Sequence, residues 1–295
     1  MLMTYCTLCP RACGANRADG FKGYCGADNT LRVARAALHF WEEPFLCSEE
    51  RGSGTVFFSG CALRCTYCQN HEISTQMHGK EISVERLAEI FSSLEEQGAA
   101  NINLVTPDHY APQVSAALSL WKQKGGALPV VLNTGGYITK QALQSYWRDV
   151  DIFLTDFKYI TSALAEEFSH APDYPEIAKI ALNTMVNLAG APVFNADGFL
   201  QKGVVVRHLL LPGHVGEAQK VTEYVYHTYG DNVYISLMNQ FTPVNDVPGL
   251  NRSVTEREYN RLLDYALALG VENCMIQECG TAQESFIPPF DGTGM

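Results

Sequence analysis

Cys61, Cys65 and Cys68 stand at CxxxCxxC spacing, close enough on one loop for their thiolates to share a polynuclear metal group. Three thiolates fill three iron positions of a cubane iron–sulfur cluster and leave the fourth iron open to an outside ligand. A zinc loop with His71 as fourth ligand is the alternative. A second set, Cys6, Cys9, Cys13 and Cys25, lies in a glycine-rich stretch and offers the four thiols of a closed centre. Zinc and an auxiliary iron–sulfur cluster both accept such a set. Cys47 either replaces one of the four or is a buried free thiol. Cys274, in an apolar run, reads as core, and Cys279 as a thiol that can point into the interior as a hydrogen-atom relay.

These thiols need elements to hold them. Residues 55–58 form a short β-branched and aromatic strand that runs directly into Ser59, Gly60 and Cys61. Ser83 can cap a helix whose Leu87, Ile90, Phe91 and Leu94 share one face, and Val114, Ala117, Leu118 and Trp121 mark another. Further strands are expected at 101–105, 129–132, 151–155, 204–211 and 234–238, with helical segments at 141–147, 175–188 and 217–229 between them. A last helix starts at the Thr255-x-x-Glu258 capping box and stops at Gly270. Six βα units predict an α/β fold, a partial (β/α)6 TIM-like barrel. Residues 1–50 read as a small Cys-rich metal-binding module with a connector around residues 39–44, and residues 51–295 as the barrel with its carboxyl-terminal helix. Chemistry on such barrels sits at the carboxyl ends of the strands, where the Cys61 loop begins.

Of 295 residues, 46% are hydrophobic and 18% charged, which excludes a disordered chain. With 21 Lys and Arg against 32 Asp and Glu, the net charge of −11 lacks the basic footprint of a duplex binder, so no nucleic-acid partner is expected. No apolar run has the length of a membrane span, so no membrane partner is expected either. The first residues lack a basic segment followed by an apolar run. A cytoplasmic location follows, in which clustered thiols hold metal more readily than they form disulfides.

The CxxxCxxC motif after the first strand resembles that of the radical S-adenosylmethionine superfamily. Residues 52–61 (Gly-Ser-Gly-Thr-Val-Phe-Phe-Ser-Gly-Cys), 101–109, Asp156-Phe157-Lys158-Tyr159, 206–213, 236–243 and the terminal 290–294 together resemble its branch of pyruvate formate-lyase activating enzyme-like proteins. The resemblance implies a [4Fe-4S] cluster on Cys61, Cys65 and Cys68, with S-adenosylmethionine across the strand ends. It implies a 5′-deoxyadenosyl radical that abstracts hydrogen, an electron donor such as flavodoxin or ferredoxin, and a glycine of a partner glycyl radical enzyme as substrate. The same chemistry on a small molecule, a peptide or another protein is the second reading, and a non-catalytic zinc or iron–sulfur binding protein the third.

The branch carries a Gly-Gly-Glu segment after its second strand, whereas this chain has Val105-Thr106-Pro107-Asp108, so the methionyl amino group falls to Thr106 and nearby carbonyls. The pattern Asp-Thr-Asn-Gly becomes Asn133-Thr134-Gly135-Gly136, an amide in place of a carboxylate. Asp156 and Lys158 share a strand face, and Lys158 or Arg207 can pair with the methionyl carboxylate. Gln240 with Asn239 are the candidate nucleoside contacts, and Tyr67 and Asn70 flank the thiols to pack on adenine or order the loop. His109 and His208 lie near strand ends without an assigned role.

Overall fold

Strands rich in Val, Ile, Leu and Phe form because such side chains pack well on a pleated surface covered from both faces. A computed structural model describes residues 5–146, 148–277 and 288–295. Its strands are β1 (Leu31–His39), β2 (Ser53–Phe58), β3 (Lys80–Ile82), β4 (Ile102–Val105), β5 (Val130–Thr134), β6 (Ile152–Asp156), β7 (Val193–Phe194), β8 (Leu200–Leu209), β9 (Tyr234–Met238) and β10 (Cys274–Ile276). The helices are α1 (His71–Ser74), α2 (Val84–Glu96), α3 (Ala111–Gln123), α4 (Lys140–Tyr146), α5 (Ser162–Ser169), α6 (Tyr174–Ala189), α7 (Val215–Tyr229) and α8 (Glu256–Leu269).

One sheet runs in the order β10-β9-β8-β6-β5-β4-β2-β1-β3, with β7 paired to β8 off that path. From β2 to β10 along this order every pairing is parallel, while β1 is antiparallel to both β2 and β3. The fold is therefore α/β, a partial TIM-like barrel, and the six expected strands are all present. The Ser83 cap accepts the Arg86 amide, and Thr255 and Glu258 close the capping box on α8. One apolar core joins the helices to the sheet, with Trp121, Tyr110, Tyr146 and Phe153 fully buried in it.

Three features depart from the sequence reading. β1 falls inside the stretch read as a thiol module and connector, and it opens the sheet instead of residues 55–58. Its alanines and arginines mask the strand signal, because Ala disfavours strands and the buried and half-buried positions do not alternate cleanly. Cys274, expected in the core, packs against it only half-buried, on β10, which among the described residues has no strand on its outer side and whose Ile276 is exposed. Finally, the carboxyl terminus docks on β1: the Ala36 amide donates to Thr293 at 2.9 Å, the Gly292 amide to Ala34 at 3.1 Å, and Arg35 pairs with Asp291 at 3.0 Å. A Cβ on Gly294, where φ is +78°, would stand 2.0 Å from the Ala36 oxygen, so only glycine permits this approach. Residue 147 of the expected helix and Cys279 lie outside the described residues.

Candidate cluster and cofactor site

Parallel register decides which side chains meet at the strand ends. Asp156, last in β6, is aligned with Arg207 of β8, and Val105 of β4 with Asn133 of β5. Arg207 Nε donates to Asp156 Oδ1 at 3.0 Å and its Nη2 to Asn133 Oδ1 at 2.7 Å. Lys158 Nζ reaches the other oxygen of Asp156 at 2.6 Å. The connector at residues 39–44 adds a carboxylate that was not among the expected site residues: Glu42 lies 3.7 Å from Arg207 and accepts from Asn103 at 3.0 Å. Burial works against charge on Lys158 and Asp156, but their mutual attraction and that of Arg207 outweigh it, so the Lys158 pKa is raised and that of Asp156 lowered.

These groups line a cleft of about 390 Å³ together with Cys61, Cys65 and Cys68. Tyr67, Asn70, Thr106, Asn133, Asp156, Lys158, Arg207 and Gln240 are all on its walls, as are Trp41, Glu42 and Asp108. Asn239 is buried behind the wall, and its amide donates to Gln277, whose side chain also holds Gln240 at 2.9 Å. Burial pushes the Cys61 thiol up to about 11, with Cys65 adding to it, and raises Cys65 and Cys68 too. A metal must therefore displace protons to bind here. Ser169 donates to Cys65 Sγ at 2.9 Å and Ser74 to Cys68 Sγ at 3.5 Å. Behind Ser169, Tyr159 contacts its hydroxyl at 2.9 Å and donates to Tyr67 at 2.8 Å. Ser169 carries no sequence signal, since α5 brings it to the thiols only through the fold, whereas Tyr159 stands in the Asp156–Tyr159 segment that carries the resemblance, without a role of its own.

The cleft fits an iron–sulfur cluster with a zwitterionic ligand by its donor set: three soft thiols, two cations, and polar oxygens without partners. Asn70 Oδ1 and Asp108 Oδ1 are both buried with no hydrogen-bond partner, which is costly unless something donates to them. Thr106 has φ +55°, a strained conformation for a β-branched residue, at the turn where its amide donates to Asn133. Among the described residues no three His, Cys, Asp or Glu side chains converge on a single-ion position. A cubane does not require such convergence, because each thiolate binds a different iron.

Gly136 keeps the Asp156 end of β6 in place. Its φ is +77° and a Cβ there would stand 2.4 Å from the Asp156 carbonyl oxygen. Gly136→Ala is expected to cost about 2 kcal/mol by strain and displacement, read as a lowered midpoint of thermal unfolding. Asp108 gives a pH signature. Burial pushes its carboxyl up to about 7 despite the Thr134 hydroxyl at 3.0 Å. The folded chain then binds the proton more tightly than the unfolded one, so this group withdraws stability as pH rises from about 4 to about 7. Asp108→Asn removes that slope, and its stability relative to wild type is expected to increase across that interval in denaturant titrations.

His109 and His208 are structural. His109 Nε2 is 2.8 Å from the Ser59 oxygen and His208 Nδ1 2.7 Å from the Phe157 oxygen, and burial lowers both pKa values, His109 to about 4. Cys47 is buried, with its thiol 3.5 Å from the Glu42 oxygen. The amino-terminal four, Cys6, Cys9, Cys13 and Cys25, are absent from the cleft walls and lie near one another.

Comparison with known proteins gives the same class. Residues 55–186 match the family model described as the radical SAM superfamily, a stretch that begins within β2 and takes in the Cys61 loop. That family implies a [4Fe-4S] cluster and S-adenosylmethionine as cofactors. The chain is 26% identical over 272 residues to the uncharacterized protein MJ0674 of Methanocaldococcus jannaschii, covering 88% of this chain and 74% of that protein. Two crystal structures of Streptococcus suis SuiB share the fold. The form bound to the precursor peptide SuiA gives a TM-score of 0.51 at 12% identity over 75% of this chain and 47% of SuiB. The form bound to S-adenosylmethionine gives 0.50 at 10% identity over 75% and 49%. This chain thus spans about half the length that SuiB has. No helix among the described residues is long and apolar enough to cross a membrane.

Proposed function

We propose that the chain is a radical S-adenosylmethionine enzyme that abstracts a hydrogen atom from a polypeptide. The observation that carries this reading is the convergence of the three thiols and the eight side chains assigned to cofactor binding on one cleft. When bound, the reduced cluster supplies the electron that breaks the sulfur–C5′ bond of S-adenosylmethionine, giving methionine and a radical that takes hydrogen from substrate. Cys61, Cys65 and Cys68 hold three irons, and the Ser169 and Ser74 hydroxyls steady two of the sulfurs. Lys158 and Arg207 meet the methionyl carboxylate, sharing their charge between it and Asp156. Thr106, the carbonyls beside it and the unpartnered Asp108 oxygen accept from the methionyl ammonium. Asn133 orients Arg207, while Tyr67, Asn70 and Gln240 flank the nucleoside.

Two points support a polypeptide substrate. Trp41 stands on the cleft wall and is 69% exposed, a large apolar surface at the mouth that a peptide would cover. SuiB, which shares the fold, has been crystallised with a precursor peptide. A glycine of a partner glycyl radical enzyme is the specific form that the motif resemblance suggests, with a flavodoxin- or ferredoxin-type protein as one-electron donor and the reducing cytoplasm as the setting. The test is isotopic: polypeptide candidates deuterated at carbon are incubated anaerobically with reconstituted enzyme, reductant and S-adenosylmethionine. Deuterium in 5′-deoxyadenosine supports the reading, and a persistent glycine-centred radical by electron paramagnetic resonance identifies the glycyl form. Deuterium transfer from small metabolites but from no polypeptide would overturn the substrate assignment.

A further inference from the structure

The amino-terminal thiols form a second constellation that the cleft does not use. Cys9 and Cys25 are 7% and 5% exposed, Cys6 and Cys13 are within side-chain hydrogen-bonding reach, and all four feel one another electrostatically. A Cβ on Gly23 would stand 3.2 Å from Cys13 Sγ and 3.6 Å from Cys25 Sγ, so the glycine leaves open a space between two thiols. Arg17 is buried beside them, with Nη1 4.0 Å from Cys6 Sγ. Its other side-chain bonds go to neutral backbone acceptors, Nη1 to the His109 oxygen at 2.6 Å and Nε to the Asp28 oxygen at 2.8 Å. Among the described residues it pairs with no carboxylate, as a buried guanidinium ordinarily would. Metal-bound thiolates supply the missing negative charge. The set is also tied to the first loop, because the Cys61 amide donates to the Cys25 oxygen at 3.3 Å and the Arg64 guanidinium to the Tyr24 oxygen at 3.4 Å.

We infer that Cys6, Cys9, Cys13 and Cys25 hold a second, closed iron–sulfur cluster, with Arg17 as its buried counter-charge, and that this cluster buttresses the Cys61 loop through Cys25. A cubane suits the constellation better than zinc. A zinc ion needs four sulfurs about 2.3 Å from one point, and the thiols do not converge on a single-ion position. Four protein ligands close every iron, so this centre has no open position for S-adenosylmethionine.

The buttressing rests on the function proposed for the Cys61 loop, whereas the second cluster does not. The full chain is reconstituted anaerobically with iron and sulfide, and iron, acid-labile sulfide and zinc are counted per chain. About eight irons and eight sulfides are expected in wild type, and about four of each in the variant with Cys61, Cys65 and Cys68 all changed to Ala. In the triple variant the remaining cluster is seen alone, and Arg17→Met is expected to shift its midpoint potential to more negative values, since the reduced, more anionic state loses a neighbouring cation. Cys25→Ser is expected to lose that cluster and also to lower loading of the Cys61 site. Zinc alone, or no metal, in the triple variant would overturn the second cluster. Undiminished iron in the triple variant would instead count against the Cys61 site.

Discussion

Changing Cys65 to Ala is expected to reduce 5′-deoxyadenosine formation at least about a thousandfold, to the level without enzyme, because two thiolates cannot hold a cubane with one open iron. Cys65 is the sharpest of the three thiols to test. It accepts the 2.9 Å bond from Ser169 and, like Cys68, feels the Lys158 charge, so it joins the cluster loop to the cofactor wall. Iron should fall by about half, to the roughly four atoms that the amino-terminal thiols hold, whereas secondary structure by circular dichroism should not change, because the loop follows β2 and forms no part of the sheet. Ser169→Ala is the graded counterpart. It keeps all three thiols and removes one hydrogen bond to sulfur, for which about a 10- to 100-fold loss in activity or metal affinity is expected.

The second large effect falls on Asp156. It is the shared anion between Lys158 and Arg207, at 2.6 and 3.0 Å, and its side chain is 16% exposed. Asp156→Ala leaves Lys158 without its ion pair and Arg207 with Glu42, 3.7 Å away, and the more indirect attraction of Glu43. Breaking a largely buried pair in this way costs about 3 kcal/mol, or roughly 5 °C in thermal midpoint for a chain of this size. The ligand then discriminates a binding role from a structural one. If the methionyl carboxylate meets Lys158 and Arg207, S-adenosylmethionine restores the missing counter-charge, and its addition raises the midpoint of the variant by more than that of wild type. An equal or smaller increment would place the carboxylate elsewhere.

Much of this site was legible in sequence because its parts are local. The CxxxCxxC loop directly follows a strand, and Asp156 and Lys158 are two apart, so strand geometry alone puts them on one face. The pairing of Asp156 with Arg207 was not legible in this way, because it depends on β6 and β8 lying side by side in the sheet although β7 separates them in the chain. What stayed hidden depends on long-range packing. Glu42 reaches Arg207 because β1 carries the connector across the cleft mouth, and β1 was masked by its alanines and arginines. Ser169 reaches Cys65 from α5, more than a hundred residues along the chain. The docking of Thr293 on β1 joins the two ends of the chain, which no pattern of either segment announces.

Reductive cleavage of S-adenosylmethionine by the reconstituted wild-type chain is the most direct measurement of the central claim. With dithionite under anaerobic conditions, 5′-deoxyadenosine and methionine should accumulate together in proportion to enzyme, and neither should exceed background in the variant lacking Cys61, Cys65 and Cys68. A wild-type chain shown by electron paramagnetic resonance to carry a reduced cluster on the Cys61 loop, yet forming no 5′-deoxyadenosine, would contradict it.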